Sequence, residues 1–255
     1  MLSRLSAAKL LLPTVMTLVS LAVLVSLGSW QISRKAWKDA LIAQIAARVK
    51  AEPVGLDAVL GLYTASQADT QLSGIEYTRL RVTGRFRHDR ELFLYAPHPK
   101  LGPGYHVLTP LEVTGSPRRV LLVNRGYVTE ALKDRAKRPE GVPTGETSVT
   151  GLVRLTGEKG GFTPANEPSN NLWYWRDIPA LLRAAVPGAE HTALPFMLDA
   201  EAPANPGGWP KGGATEIKLP NRHLEYALTW FGLAGALIAV YGIYALGRLR
   251  VARGG

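Results

Sequence analysis

Residues 10–33 read LLLPTVMTLVSLAVLVSLGSWQIS and residues 226–247 read YALTWFGLAGALIAVYGIYALG, and neither run contains Asp, Glu, Lys or Arg. Each meets the roughly 20 apolar residues that crossing hydrocarbon requires. They account for a mean hydropathy of +0.02, high for a chain with 20% charged residues. Between them lies a stretch of roughly 190 residues, the size of one ordinary domain. The expected architecture is a membrane-anchored α+β protein in which two transmembrane helices flank one mostly antiparallel β domain outside the cytoplasm. Its segments are a cytoplasmic N-terminus at 1–9, a helix at 10–33, the domain at 34–222, a helix at 223–247 and a cytoplasmic C-terminus at 248–255.

The first run competes with a signal peptide, because Arg4 and Lys9 form a basic start and Ser26 and Gly28 are small enough for cleavage. Its apolar stretch exceeds the roughly 7 to 15 residues of a cleaved signal. Pro13 falls in the first turn, where a missing N–H costs little, and Trp30 and Trp37 stand where an aromatic belt belongs. An uncleaved span is the better reading. Arg34, Lys35 and Lys38 make the far side of the first run basic too, so orientation rests on the second: Arg248, Arg250 and Arg253 follow it and Glu225 precedes it. Both termini are then expected inside, with ends too short for a cytoplasmic output module.

The formal charge of +10 is not a nucleic-acid signal. All acids lie between Asp39 and Glu225, the tails carry arginine and lysine alone, and no basic run is interleaved with aromatics, so nucleic-acid binding is excluded and membrane lipid is the expected contact. The absence of cysteine excludes disulfides, iron–sulfur ligation, thiolate zinc sites and a Cys nucleophile.

Past the first run, Trp37, Leu41, Ile45 and Val49 recur at helical spacing, which predicts an amphipathic helix ending near Pro53, and a short helix is expected at 56–65. The period then changes. Short β-rich runs at Tyr77 to Val82, 92–95, 107–113, 120–128, 149–155 and 172–175 are divided by Gly, Pro, Asn and Asp. A helix is expected over 177–186 and a last strand over 193–199, before the loop APANPGGWPKGGAT returns the chain to the membrane.

Catalytic machinery is nearly absent from the sequence: it contains no GxSxG, P-loop, HExxH or dinucleotide motif. Gly102, Pro103 and Gly104 read as a tight turn. His88, His98 and His106 could converge on a metal, but no carboxylate pattern supports that, and surface histidines are the simpler reading. His191, in a polar loop, carries no hypothesis. His223 differs, because NRHLEYALTWFGLAGA sets an imidazole at the mouth of a span, with His223, Tyr226, Ala227 and Trp230 on one helical face. A coordinating group at membrane depth is a functional candidate, and a neutral imidazole near stacking aromatics suits haem iron as an axial ligand. The competing reading makes His223 a helix cap beside Arg222, with Tyr226 and Trp230 as belt aromatics. Gly232, Gly235, Ala236 and Ala239 predict a close-packing surface, whose partner would be the small Ser20, Ala22 and Ser26 of the first run or another membrane protein.

The ordered segments GSWQISRKAWKDALI, YTRLRVTGRF, GPGYHVLTPL, VLLVNRGYV, GLVRL, FTPANEPSNNLWYWRD and NRHLEYALTWFGLA resemble the surfeit locus protein 1 family of cytochrome c oxidase assembly factors, from about Gly28 to Tyr241. Tyr127 stands where the family pattern has tryptophan and Thr129 where proline is common. The resemblance implies a non-enzymatic, chaperone-like protein that assists maturation of the haem-bearing oxidase subunit and is associated with haem a, with haem a synthase as a further partner. It also turns His223 into the expected iron ligand; by their places on the helix, Arg222 is then expected to face a propionate, Tyr226 to hydrogen-bond a peripheral group and Trp230 to pack on the ring edge. The segment before Leu10 lacks an Arg-rich transit peptide, so a bacterial inner membrane with the domain on the periplasmic side is expected. Two alternatives belong to other classes: a two-span extracytoplasmic ligand-binding or envelope-stress sensor, which needs an inside output, and an anchored hydrolase, which needs an acid, base and nucleophile.

Overall fold

In a computed structural model, residues 9–66, 74–115, 118–188, 192–202, 205–213 and 220–254 are described. His191 lies outside them. The chain divides into two compact units, one formed by residues 1–44 with 218–255 and the other by residues 45–217.

The first unit is a pair of helices. Helix α1 spans Leu11–Lys50 without interruption, so the first apolar run and the amphipathic segment after it are one element. Neither Gly nor Pro falls between Trp30 and Lys50 to stop it. The C-terminal helix covers His223–Gly254. Each contains a window long and apolar enough to cross a membrane, and only 6% of each window is buried. Leu12, Met16, Val240 and Ile243 are among the exposed side chains, surface that water would penalise and hydrocarbon would accept.

The second unit is a β domain. Helix α2 (Leu56–Ser66) precedes strands β1 (Arg79–Phe86), β2 (Leu92–Tyr95), β3 (Gly104–Val113), β4 (Arg119–Thr129), β5 (Glu146–Arg154) and β6 (Leu172–Trp173), then helix α3 (Ile178–Ala185) and strand β7 (Ala193–Ala200). The C-terminal helix is α4. The sheet order is β1-β5-β7-β4-β3-β2-β6, and β1 also pairs with β3, so β1, β5, β7, β4 and β3 close into a barrel-like ring with β2 and β6 as an extension. Pairing is antiparallel except at β2–β6 and β4–β7.

Strand β1 alternates as the period predicts, turning Leu80, Val82 and Phe86 inward. They pack with Leu121 and Val123 of β4, Val149 and Val153 of β5 and Phe196 and Leu198 of β7, while Val59 of α2 joins the same core. Strand β4 does not alternate. Its outer face is covered by α3, whose Leu181 and Leu182 pack with Leu122, Met197 and Trp173, and burial on both faces explains the unbroken run VLLV. The Asp177 carboxylate caps α3 by accepting the Ala180 N–H at 3.1 Å.

Two loops are anchored by local chemistry. Gly102 adopts φ +81° in the β2–β3 turn, and the buried Tyr127 hydroxyl donates to the Gly102 and Pro103 carbonyls at 2.9 and 3.1 Å. The phenol at this position is thus a clasp on the glycine turn. Gly126 has φ +119°, and a Cβ there would lie 2.0 Å from the Lys211 carbonyl oxygen. Tyr127 and Lys211 exchange both backbone hydrogen bonds at 2.8 and 2.9 Å, which fastens the loop after β7 onto β4.

Candidate functional site

The pairing of α1 with α4 follows a seven-residue rhythm. Along α4, His223, Ala227, Trp230, Ala234, Leu237 and Tyr241 are less exposed than most of their neighbours; along α1 the same holds for Thr14, Thr17, Leu21, Leu24, Gly28 and Gln31. The alternation of three and four is the seam of a left-handed helix pair. It corrects the expectation that Gly232, Gly235, Ala236 and Ala239 pack on the first apolar helix, and leaves another membrane protein as the partner expected for that face. Those residues are exposed, and nothing lies within 4 Å of a Cβ built on Gly232 or Gly235. Ser20, Ala22 and Ser26 are exposed as well. Small residues do serve the contact, but they are Ala227, Ala234 and Gly28: a Cβ at Gly28 would come within 2.7 Å of the Phe231 ring.

Polar contacts close both ends of this seam. At one end the hydroxyls of Thr14 and Tyr241 hydrogen-bond. At the other, His223 Nδ1 is 2.7 Å from Gln31 Oε1. At 1.5 Å per residue the two contacts are separated by about 25 Å along either helix, close to the roughly 30 Å of a hydrocarbon core. His223 is the first residue of α4, and its backbone N–H points to Asn221 Oδ1 at 3.4 Å. Asn221 Nδ2 donates to Asp39 at 2.7 Å, and Lys35 donates to the other oxygen of Asp39 at 2.5 Å.

The residues expected around His223 are dispersed. Trp230 shares its face of α4, two turns along. Tyr226 is 52% exposed beside the seam. Arg222 donates to the Glu225 carboxylate through Nε and Nη2 at 3.0 and 2.9 Å, with both side chains in the open. The chemistry of the histidine nonetheless fits an iron ligand. Nδ1 is occupied by a carbonyl oxygen, while Nε2 makes no hydrogen bond among the described residues. Gln31 escaped the sequence reading because a lone carboxamide in an apolar run gives no sign of which helix face it occupies.

His88, His98 and His106 belong to the β domain. No group of three or more His, Cys, Asp and Glu side chains able to hold a metal occurs among the described residues. His106 is half-buried beside the Tyr127 ring, and desolvation of the imidazole holds its pKa below the ordinary value. His88 contacts Glu91 at 3.2 Å and the Pro143 carbonyl at 3.1 Å, at the edge of an open cavity of about 1100 Å³ that Phe93, Lys133 and Asp134 also line. Behind it, Glu91 accepts from Arg138 at 2.5 Å and lies 3.8 Å from Arg125, which is only 1% exposed. Burial raises the Glu91 pKa, but hydrogen bonds from His88 and Arg138 and the charges of both arginines outweigh it and hold the acid below its ordinary value. Burial, only partly offset by Glu91, brings Arg125 down to about 10.

These features define a class of protein: two apolar helices, tied together at both ends and carrying an imidazole at one of them, with a barrel-like β domain between them in sequence. Comparison with known sequences names the group. A profile of the SURF1 family matches residues 18–235, and the chain belongs to that family. It is 35% identical to Surfeit locus protein 1 of Mus musculus over 225 residues, covering 82% of this chain and 68% of the mouse protein. It is 35% identical to the human protein of the same name over 226 residues, 82% of this chain and 70% of the relative. A SURF1-like protein of Monosiga brevicollis is 35% identical over 228 residues, 84% of this chain and 80% of the relative.

Proposed function

We propose that this protein is a membrane-bound assembly factor for cytochrome c oxidase that assists delivery or insertion of haem a during maturation of the haem-bearing subunit, with haem a synthase as a neighbouring partner. Membership of the SURF1 family, from the first apolar helix into the second, is the observation that carries this reading. In it, His223 would hold the iron through a nitrogen lone pair, Trp230 would pack against the ring, Tyr226 would hydrogen-bond a peripheral group, and Arg222 would face a haem carboxylate. Haem a, when bound, would supply an iron that accepts a nitrogen ligand. The chain's part is binding and handover. The location is a bacterial inner membrane with the β domain on the periplasmic side, supported by the acid-free arginines that follow the second apolar run.

Deletion of the gene tests the function. Membrane spectra and oxygen uptake are expected to show less haem a-containing oxidase, with oxidases lacking that haem unaffected. Unchanged oxidase content under conditions that demand haem a overturns the assignment.

A further inference from the structure

We infer that Gln31 is the positioning residue for the His223 imidazole: from the opposite helix it selects the ring tautomer and thereby which nitrogen is left to bind a metal. The purpose of this device rests on the haem reading above. The hydrogen bond and the tautomer are properties of the chain without any metal.

The argument begins with the atoms. Gln31 Oε1 is a carbonyl oxygen and can only accept, so at 2.7 Å the hydrogen between it and His223 Nδ1 belongs to the ring. A neutral imidazole has one N–H. With that hydrogen on Nδ1, the lone pair must reside on Nε2, the nitrogen without a partner among the described residues. An unpaired histidine side chain favours the opposite tautomer, so the carboxamide reverses the default. Metal-binding histidines commonly donate their second ring N–H to an oxygen that fixes ring orientation, and here that oxygen comes from the other helix.

The surroundings hold both partners in place. One turn before Gln31, Gly28 is buried where a Cβ would meet Phe231, so the helices approach closely at this level. Ala227, one turn into α4 from His223, is 1% exposed. On the other side, the chain Lys35–Asp39–Asn221 ties the start of α4 to α1. Contacts between α1 and the chain on either side of His223, at Gly28–Phe231 and Asp39–Asn221, therefore flank the Gln31 hydrogen bond. A carboxamide also suits the depth of Gln31: it accepts the hydrogen bond without placing a charge in an apolar run, where ionised groups are costly.

The test uses the full-length chain in lipid nanodiscs with ¹⁵N-labelled histidine, the His223 signals being assigned by their loss in His223→Ala. In the metal-free protein, His223 is expected as the Nδ1–H tautomer. Gln31→Leu is expected to convert it to Nε2–H, and Gln31→Glu, which keeps an acceptor, to retain Nδ1–H. In protein loaded with haem a, Gln31→Leu is expected to weaken retention about 10- to 100-fold, the usual effect of losing an outer-shell partner. Gln31→Glu is expected to keep haem and lower its reduction potential, because a carboxylate makes the ring a stronger donor. An Nε2–H tautomer in the wild type, or Nδ1–H persisting in Gln31→Leu, overturns the inference, and the wild-type measurement alone decides it if the leucine variant does not fold. Haem retained unchanged by His223→Ala instead excludes His223 as the iron ligand, and absence of haem from the wild type defeats the haem reading, each independently of the tautomer result.

Discussion

His223 and Gln31 are 192 positions apart in sequence, yet the imidazole Nδ1 and the carboxamide Oε1 meet at 2.7 Å. About 25 Å away along the helices, Thr14 and Tyr241 form the matching contact. The two apolar helices are thus joined at both ends of their seam by polar groups that hydrocarbon would leave unsatisfied singly. Such pairs fix the register of one helix against the other, which leucine and valine contacts alone do not.

His223→Ala is expected to abolish haem a retention while leaving the protein in the membrane. Trp230→Leu and Tyr226→Phe should weaken retention less, since neither removes the coordinating lone pair. Absorption and electron paramagnetic resonance spectra of the purified variants, normalised to protein, check this; a wild-type low-spin signal in His223→Ala excludes His223 as the ligand.

Topology follows from the flanking arginines. An alkaline phosphatase fusion at Gly145 is expected to be active and a fusion at the C-terminus inactive, as required if the β domain is translocated and Arg248 and Arg250 stay inside. The reverse pattern would invert the model of the spans.

Gly28→Leu is expected to separate α1 from α4, because a Cβ alone already comes within 2.7 Å of the Phe231 ring. Cysteine cross-linking between residues 24 and 234 should fall several-fold, whereas Gly232→Leu, on the open face, should leave it unchanged. Equal losses in both variants would place the seam elsewhere.

The β domain should lose stability on acidification in two stages. The folded pKa of His106 is depressed by burial, so the unfolded state binds its proton first and stability falls as pH drops through the ordinary imidazole value near 6.5. The folded pKa of Glu91 is likewise depressed, so its contribution is present above the ordinary carboxyl value of 4.5 and disappears as pH falls through the lower folded value. Replacing Glu91 by Gln strands the two arginines and is expected to cost about 3 to 5 kcal/mol at neutral pH while flattening the lower stage. Thermal unfolding of wild type and variant between pH 3 and 8 makes the comparison.

Gly126→Ala is expected to destabilise the domain by about 1 to 3 kcal/mol or more, since it combines a positive φ with a Cβ 2.0 Å from the Lys211 carbonyl oxygen. Gly161→Ala, with open space around it, is the control. Denaturant unfolding followed by tryptophan fluorescence measures both.

The elements themselves were legible in one dimension. Hydrophobic runs and turn residues located every strand from β1 to β7 to within a few positions, because alternation and punctuation by Gly, Pro and Asn are local properties of the backbone. Charge-free length identified the two apolar helices for the same reason. His223 stood out because an imidazole at the end of such a run is chemically conspicuous. The partnering of these elements was not legible. In a helix apolar on every side, no contrast marks the face that will be buried, so the seam through Gly28, Ala227 and Ala234 was concealed and the small residues at 232–239 looked equally suitable. The closure of β1 onto β3, the parallel placement of β7 beside β4, and the sharing of Glu91 between Arg125 and Arg138 join residues far apart in sequence. Gln31 belongs with them: its residue type is unremarkable in the sequence, and its contact with His223 arises from the pairing of α1 with α4, because which nitrogen an imidazole leaves free depends on the atom facing the other one.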